Sequence, residues 1–364
     1  MTETPLPELE AILLVGGQGT RLRPLTLGTP KPLLPTAGVP FLAHQLARAR
    51  AFGVRRIVFA TSYRAEMFSE AFGDGSAFGL SLEYMTEETP LGTGGAIRNA
   101  AEALTCGPDA PVLVLNGDIL SGHDIGDQVA RHVERQAALT LHLTEVDDPT
   151  RFGCVPTDAE GRVTAFLEKT PNPVTNRINA GCYVFTRSVI DSIPAGQVVS
   201  VERETFPGLI DSGALVLGYA DASYWLDVGT PAAFIKGSRD LVLGRLASPA
   251  LPGPTGEFLA LPGARISAEA KIDGGSVAGA RAVVESGAQV SGSVLGDGCV
   301  IHSGATVVDS VVGIGARVAS GAVLRDVVIG DGAIVGPGNE LMAGSRIWPG
   351  VVLPECAVRF SSDV

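Results

Sequence analysis

Three observations predict the fold class. Apolar strand-like segments alternate with helical ones from residue 10 to about 245, a proline- and glycine-rich stretch "ASPALPGPTGE" follows, and an internal repeat fills the remainder. Alternating β and α segments with continuously apolar strands mean a mainly parallel sheet covered on both faces. The expected architecture is therefore α/β. A Rossmann-like, mainly parallel or mixed sheet spans 1–246, a linker 247–257, and a left-handed parallel β-helix of hexapeptide repeats 258–364. At 364 residues the chain exceeds what one core usually supports.

In order, "AILLV" is a buried strand and "FLAHQLARARAFG" a helix closed by Gly53. "RRIVFAT" is a strand, followed by a short helix around Ala65–Phe72 and the strand "LSLEYMT". "GGAIRNAAEAL" is helical, "PVLVLNGD" a buried strand, and "DIGDQVARHVERQAA" a helix with Asp124 as its N-cap. After Leu139 strands come more densely ("LTLHLTEV", "GRVTAFLEK", "AGCYVFT"), which predicts a mixed sheet layer added over the first half. Four repeat copies then begin at Ser276, Ser293, Ser310 and Val327, a step of 17 each time. Within a copy aliphatics recur every six residues, as in Leu295, Ile301, Val307 and in Val312, Val318, Leu324. That period fits neither helix nor alternating strand. It fits a triangular coil of three short parallel strands, one apolar residue per side pointing inward and small residues at the corners.

Composition excludes several classes. A net charge of −12 argues against nucleic acid as a partner, since that needs a basic face. The acidic start "MTETPLPELE" lacks the basic and apolar regions of a signal peptide. No apolar run approaches the roughly 18 residues of a membrane span. Cys106, Cys154, Cys182, Cys299 and Cys356 are scattered without a C-x-x-C pair, against a disulfide framework or zinc site. These features predict a soluble, cytoplasmic protein with no membrane partner.

The first strand runs into "LLVGGQGTRLRPLTLGTPKPLLP", where Pro24, Pro30, Pro32 and Pro35 forbid a continuing helix or strand. Gly16, Gly17 and Gly19 sit where open α/β sheets bind ligands, and their N–H groups can close around phosphate oxygens. Arg21 and Lys31 add fixed charge, and the prolines around Lys31 are expected to hold its backbone extended. The loop lacks the Gly-Lys-Ser/Thr of a Walker motif, and Leu22 occupies the third glycine of a dinucleotide fingerprint. A tight turn with surface basics is the plainer reading; the spacing favours a polyphosphate cradle.

"GGQGTRLRPLTLGTPKPLLP" closely resembles the signature of the sugar-nucleotide pyrophosphorylases, nucleotidyltransferases that join an NTP to a sugar 1-phosphate and release pyrophosphate. The resemblance continues through "PLGTGGAI", "LVLNGD", "FLEK", "INAGCYVF", "YWLDVGTP" and the repeat tail, and is nearest the bacterial branch that uses GTP and mannose 1-phosphate. It implies that Leu14, Gly16, Gly17, Gly19, Thr20, Arg21, Glu87, Gly92, Thr93, Asn116 and Asp118 bind the nucleotide. Arg21 would hold the β,γ-phosphates, and Lys31 would stabilise charge at the transferred phosphoryl group. Gly153, Glu168, Lys169, Asn179 and Gly181 would bind the sugar phosphate, although Thr170 intervenes before Pro171 where the family often shows Glu-Lys-Pro. Bringing two phosphorylated anions together is an electrostatic problem, which a hard divalent cation eases. The resemblance pairs Asp118, at a strand end, with Asp227, before a helix start, as ligands of Mg²⁺. A turn or helix cap is the plainer role for each.

Glu87 carries an expectation about the base. Guanine presents two adjacent donors, N1–H and the 2-amino group, which one carboxylate accepts together. The thymidylyl branch carries glutamine at the position aligned with Glu87, and a solvated acidic pair Glu87–Glu88 is the plainer reading. His44, His123, His132 and His142 show no metal-binding spacing, and His302 reads as a corner or surface residue. Stacked coils expose an end and a face, which predicts a homo-oligomer built partly through the β-helix. Three alternatives stay open: a glucose-1-phosphate thymidylyl- or adenylyltransferase, a non-catalytic regulatory subunit, and a bifunctional acyltransferase.

Overall fold

The computed structural model describes residues 9–62 and 64–359. The acidic start, residues 1–8, and the end of the expected tail domain, 360–364, lie outside them. By packing the chain forms two units, one of Met1–Gly17 with Gln45–Trp225 and one of Gln18–His44 with Leu226–Val364. The expected boundaries follow composition, whereas packing groups two catalytic-half segments with the repeat tail. Among the described residues no helix is long and apolar enough to cross a membrane.

The first unit is built on one nine-stranded mixed sheet. Leu9–Leu14 lies at its centre, parallel to Val54–Thr61 on one side and Pro111–Asn116 on the other, with Ser81–Thr86 beyond Val54–Thr61. Both faces are covered, and Ala11, Ile12, Leu13, Val112, Leu113 and Val114 are each at most 1% exposed. Arg177–Thr186 runs antiparallel beside Pro111–Asn116 and continues to Leu139–Glu145. The later strands thus extend the same sheet; they do not form a layer over it. "GRVTAFLEK" is a strand only at Leu167–Glu168. Val163 bonds to Val216 and Thr164 to Pro156, so the segment changes partner residue by residue and never makes one ladder. Its helices include Phe41–Ala51, of which the residues from Gln45 on belong to this unit, and Ala65–Phe72, Gly92–Ala100 and Ile125–Glu134, the last capped by the Asp124 carboxylate accepting the Asp127 N–H.

In the second unit three all-parallel sheets make the sides of a prism. Their strands run from Phe258–Ala260 to Arg346–Ile347, from Arg265–Ile266 to Val352–Leu353, and from Lys271–Asp273 to Glu340–Leu341. Leu295, Ile301, Val307, Val312, Val318 and Leu324 fill the interior at 0–1% exposure. Each such burial contributes roughly 1.5–3 kcal/mol, against roughly 0.5–1 for each corner glycine, so the aliphatic columns win. The coil extends one turn before and one beyond the four sequence copies, at steps of 18: Phe258 pairs with Ser276 and Val328 with Arg346. Where the step is 17, a serine stands at the shortened corner. The buried Ser276, Ser293 and Ser310 hydroxyls each accept the N–H of the residue 17 further on, at 3.1 Å. Ser310 also donates to the Val308 carbonyl at 2.7 Å. The hydroxyl thus replaces the carbonyl partner that a residue's deletion removes, and beyond Val327, with no serine, the step returns to 18.

Candidate functional site

In the first unit the parallel strands end at one edge, since Leu14 pairs with Ala60 and Asn116 and Thr61 with Thr86. Leu14, Gly16 and Gly17 leave the central strand there, and Gly17 has φ 108°, open to glycine. Asn116 and Asp118 leave the neighbouring strand through Gly117. Its N–H donates to the Leu14 carbonyl at 2.8 Å, and a Cβ would stand 2.6 Å from that oxygen, so only glycine closes this turn. Gln45 Nε2 donates to the carbonyls of Asn116 at 3.0 Å and Ile119 at 2.6 Å, gripping the turn that carries Asp118 on both sides. "LVLNGD" carried a signal for the glycine, but nothing near Gln45 marked it.

Glu87 follows at the same edge, its N–H on the Thr61 carbonyl at 3.0 Å. Its Oε2 accepts the Leu91 N–H at 3.2 Å, while Oε1 is buried with no hydrogen-bond partner among the described residues. Burial pushes its carboxyl pKa up, and the Leu91 N–H only partly offsets this. Glu88 is exposed. Gly92 opens the next helix against the Val199 carbonyl. The Thr93 hydroxyl donates to Glu202 Oε2 at 2.8 Å and accepts the Val201 N–H at 3.0 Å, so it is engaged within the fold.

The five residues expected at the sugar phosphate also belong to this unit. Glu168 pairs with Gly153 across two short antiparallel strands, and Lys169, at φ 47°, turns back so that Nζ lies 3.2 Å from Glu168 Oε1. A left-handed lysine is uncommon enough to mark a constrained position. Asn179 spends its amide inward, donating to the Tyr183 hydroxyl at 2.9 Å and accepting the Gly181 N–H at 3.1 Å. That fixes the strand irregularity at Gly181, whose Cα faces the Asn116 amide. A cavity of about 470 Å³ lies at the end of Leu139–Glu145, walled by Glu145, Arg177, Asp221 and Trp225; none of the five lines it.

The second unit assembles the charged loop. Gly19 is left-handed at φ 57°, and its carbonyl accepts from the Leu22 N–H at 2.9 Å and the buried Thr26 hydroxyl at 2.8 Å. Thr20, Arg21 and Leu22 form a 3₁₀ turn. Lys31 opens another, Lys31–Leu33, so its backbone is turned and not extended as expected; Pro32 suits a first turn, where no N–H is needed. Lys31 Nζ lies 3.9 Å from Asp227 Oδ1, with the side chains 13% and 27% exposed. A Cβ on Gly229 would stand 2.7 Å from Arg21 Nη2 and 3.2 Å from Asp227 Oδ1. Arg21 and Asp227 therefore meet at Gly229, with Lys31 against Asp227. The helix Pro231–Val242 is capped by Thr230, whose hydroxyl accepts the Ala233 N–H at 3.2 Å, which removes capping as the role of Asp227.

One unit presents an open α/β sheet with glycine turns at its carboxyl edge, where such sheets bind ligands; the other presents a glycine- and proline-rich loop with Lys31 against Asp227. Residues 10–242 match the family described as Nucleotidyl transferase, and residues 262–346 the GlmU-like, C-terminal hexapeptide family. The chain belongs to the nucleotidyl transferase family and is a nucleotidyltransferase with a hexapeptide-repeat tail. It is 54% identical to the Mycobacterium tuberculosis mannose-1-phosphate guanylyltransferase over 358 residues, 98% of this chain and 99% of that one. It is 38% identical to the Drosophila pseudoobscura mannose-1-phosphate guanylyltransferase catalytic subunit beta, over 72% of this chain and 71% of that one. Among solved structures it is similar to HddC from Yersinia pseudotuberculosis complexed with GMP-PN. There the TM-score is 0.54 and the identity 27%, over 63% of this chain and 97% of that one.

Proposed function

We propose that the chain is a mannose-1-phosphate guanylyltransferase. A phosphate oxygen of mannose 1-phosphate attacks the α-phosphorus of GTP. The bond from that phosphorus to the bridging oxygen breaks, and pyrophosphate leaves with the electron pair, giving GDP-mannose. The observation that carries this reading is the meeting of Arg21 and Asp227 at Gly229 with Lys31 against Asp227, within a chain similar to a guanylyltransferase over almost its whole length. Arg21 would hold the departing phosphates, and Lys31, pre-placed by Asp227, would neutralise charge at the transferred phosphoryl group. Glu87 Oε1 would accept from the guanine edge. Glu168, Lys169 and the Gly153 and Gly181 backbone would hold the sugar phosphate, with Asn179 shaping Gly181.

The donors present fit a divalent cation. Such an ion shared with substrate phosphates needs only one or two protein carboxylates, so the lack of a cluster of three or more candidate ligands among the described residues is no obstacle. Asp227 and Asp118 would be those carboxylates, and bound Mg²⁺ would screen the phosphate charge. Intact Arg21, Lys31, Asp118 and Asp227 disfavour a regulatory subunit. The short repeat tract, with no added loop, disfavours a bifunctional acyltransferase. A second copy of the chain is the partner we propose for the tail, where Ile334, Trp348 and Val352 are exposed.

Steady-state pyrophosphate release across four NTPs and several sugar 1-phosphates tests the reading. The highest kcat/KM is expected for GTP with mannose 1-phosphate; a higher value for dTTP or ATP with glucose 1-phosphate would overturn it.

A further inference from the structure

We propose that Arg346, on the far end of the β-helix, is a positioning residue for the transfer, holding the backbone of the loop that carries Arg21. The inference rests on the reading above that this loop grips the phosphates. The 3₁₀ turn uses the N–H groups of Leu22 and Arg23 on the carbonyls of Gly19 and Thr20. The carbonyls of Arg21 and Arg23 receive no backbone donor among the described residues, and Pro24, which follows, has no N–H to give. Arg346 Nη1 donates to both, at 2.9 Å to Arg21 and 2.7 Å to Arg23. One cationic nitrogen thus bridges the carbonyls of the residues flanking Leu22 and sets the curvature from which the Arg21 side chain reaches Gly229. Among the described residues Arg346 makes no ion pair, so its charge is committed to these two oxygens.

The repeat explains why an arginine can stand there. On one side of the prism Leu295, Val312 and Ile329 point inward, yet their neighbours Val294, Val311 and Val328 are also buried, at 7%, 4% and 4% exposure. On the other two sides the equivalent outward positions include the exposed Arg317 and Gln289. The paired aliphatics therefore mark a covered face, against whose strand Ser276–Ala278 the helix Pro231–Val242 packs. Arg346 is next in the Val294–Val311–Val328 column, in register with Val328. The column changes from a short aliphatic to a long cation where it meets the loop.

The test compares Arg346→Ala and Arg346→Lys with Arg239→Ala in the full-length chain. Arg239 also staples the tail, through the Gly274 carbonyl at 3.1 Å and Asp309 at 2.6 Å, but does not touch the loop. A misplaced reacting group costs up to about 10²-fold, so Arg346→Ala is expected to lower kcat about 10- to 100-fold. KM for mannose 1-phosphate should change little, and Arg346→Lys, which keeps one cationic donor, should lie between. Added guanidinium should restore part of the Arg346→Ala rate and urea none, while Arg239→Ala stays near wild type. A kcat for Arg346→Ala within about twofold of wild type, or an equal loss in Arg239→Ala, would overturn the proposal. Amide exchange at Leu22 and Arg23 without nucleotide reads the clamp independently of turnover, and it applies to Arg346→Lys if the alanine variant does not fold. Faster exchange supports the clamp and unchanged exchange overturns it. A wild-type chain that turns over no NTP would sink the functional reading instead.

Discussion

At Glu87 one carboxylate oxygen is occupied by the Leu91 N–H and the other is buried without a partner among the described residues. A buried acceptor left open is costly unless a ligand fills it. Glu87→Gln should lower kcat/KM for GTP by the equivalent of about 1.5–3 kcal/mol, the worth of a charged hydrogen bond, and that for dTTP much less. Equal losses would remove Glu87 from base selection. Burial raises its pKa, and only the charged form keeps Oε1 an acceptor for the guanine edge, so wild-type kcat/KM for GTP should fall as pH drops through that raised value. The glutamine variant should lack this limb of the profile. At Asp227 one neighbour is the Lys31 ammonium, 3.9 Å away. Asp227→Asn leaves Lys31 without this partner, a change of about 0–1 kcal/mol in stability. Asp118→Asn and Asp227→Asn should each lower kcat by at least about 10²-fold. Near wild-type turnover at saturating Mg²⁺ would acquit the residue concerned.

Among the elements, the shortened coils depend on their serines. Ser310 is fully buried, accepts the Val327 N–H and donates to the Val308 carbonyl. Ser310→Ala leaves that buried N–H unsatisfied and should destabilise the chain by about 1–3 kcal/mol in urea unfolding. A loss below about 0.5 kcal/mol, the range of an ordinary surface substitution, would mean the serine spine does not hold the 17-residue step. The spacing of these serines was visible in the repeat, but their hydrogen bonds were not, because a serine at a corner reads equally well as a small residue. "GRVTAFLEK" misled in the opposite direction. Its alternating pattern suits a strand, yet its bonds to Val216 and Pro156 break the ladder, and partner choice is not written in a nine-residue stretch.

Across the molecule the histidines make a shared liability in acid. His123 and His142 stack at 3.7 Å between ring centroids beside Arg48, and neither nitrogen of the buried His142 has a partner among the described residues. Burial lowers the pKa of His123 from 6.5 to about 2, and those of His132 and His142 to about 4. The unfolded chain therefore takes up protons below pH 6.5 that the folded chain refuses. Stability is fully present above that pH and is lost as pH falls toward about 4. His142→Leu should flatten the fall of Tm between about pH 7.5 and about pH 5 without lowering Tm at the upper value. An unchanged slope would show that His142 binds protons equally in the folded and unfolded states.

By itself the sequence determined what depends on local spacing. The glycines and prolines of Gly16–Pro35 dictate a rigid loop, the six-residue aliphatic period dictates a triangular coil, and Asp124 caps its helix as read. Those signals survive because each is a constraint within one turn, one strand or one coil. Only the tertiary structure decided which distant residues serve the loop. Arg346 and the Asp227 placement beside Lys31 bring together positions far apart in sequence, and a lone arginine or aspartate has no local pattern. The same holds for the valine column at 294, 311 and 328: its period was visible, but that its outer face is covered follows only from what packs against it. Burial is a property of neighbours, and sequence spacing names neighbours only along the chain.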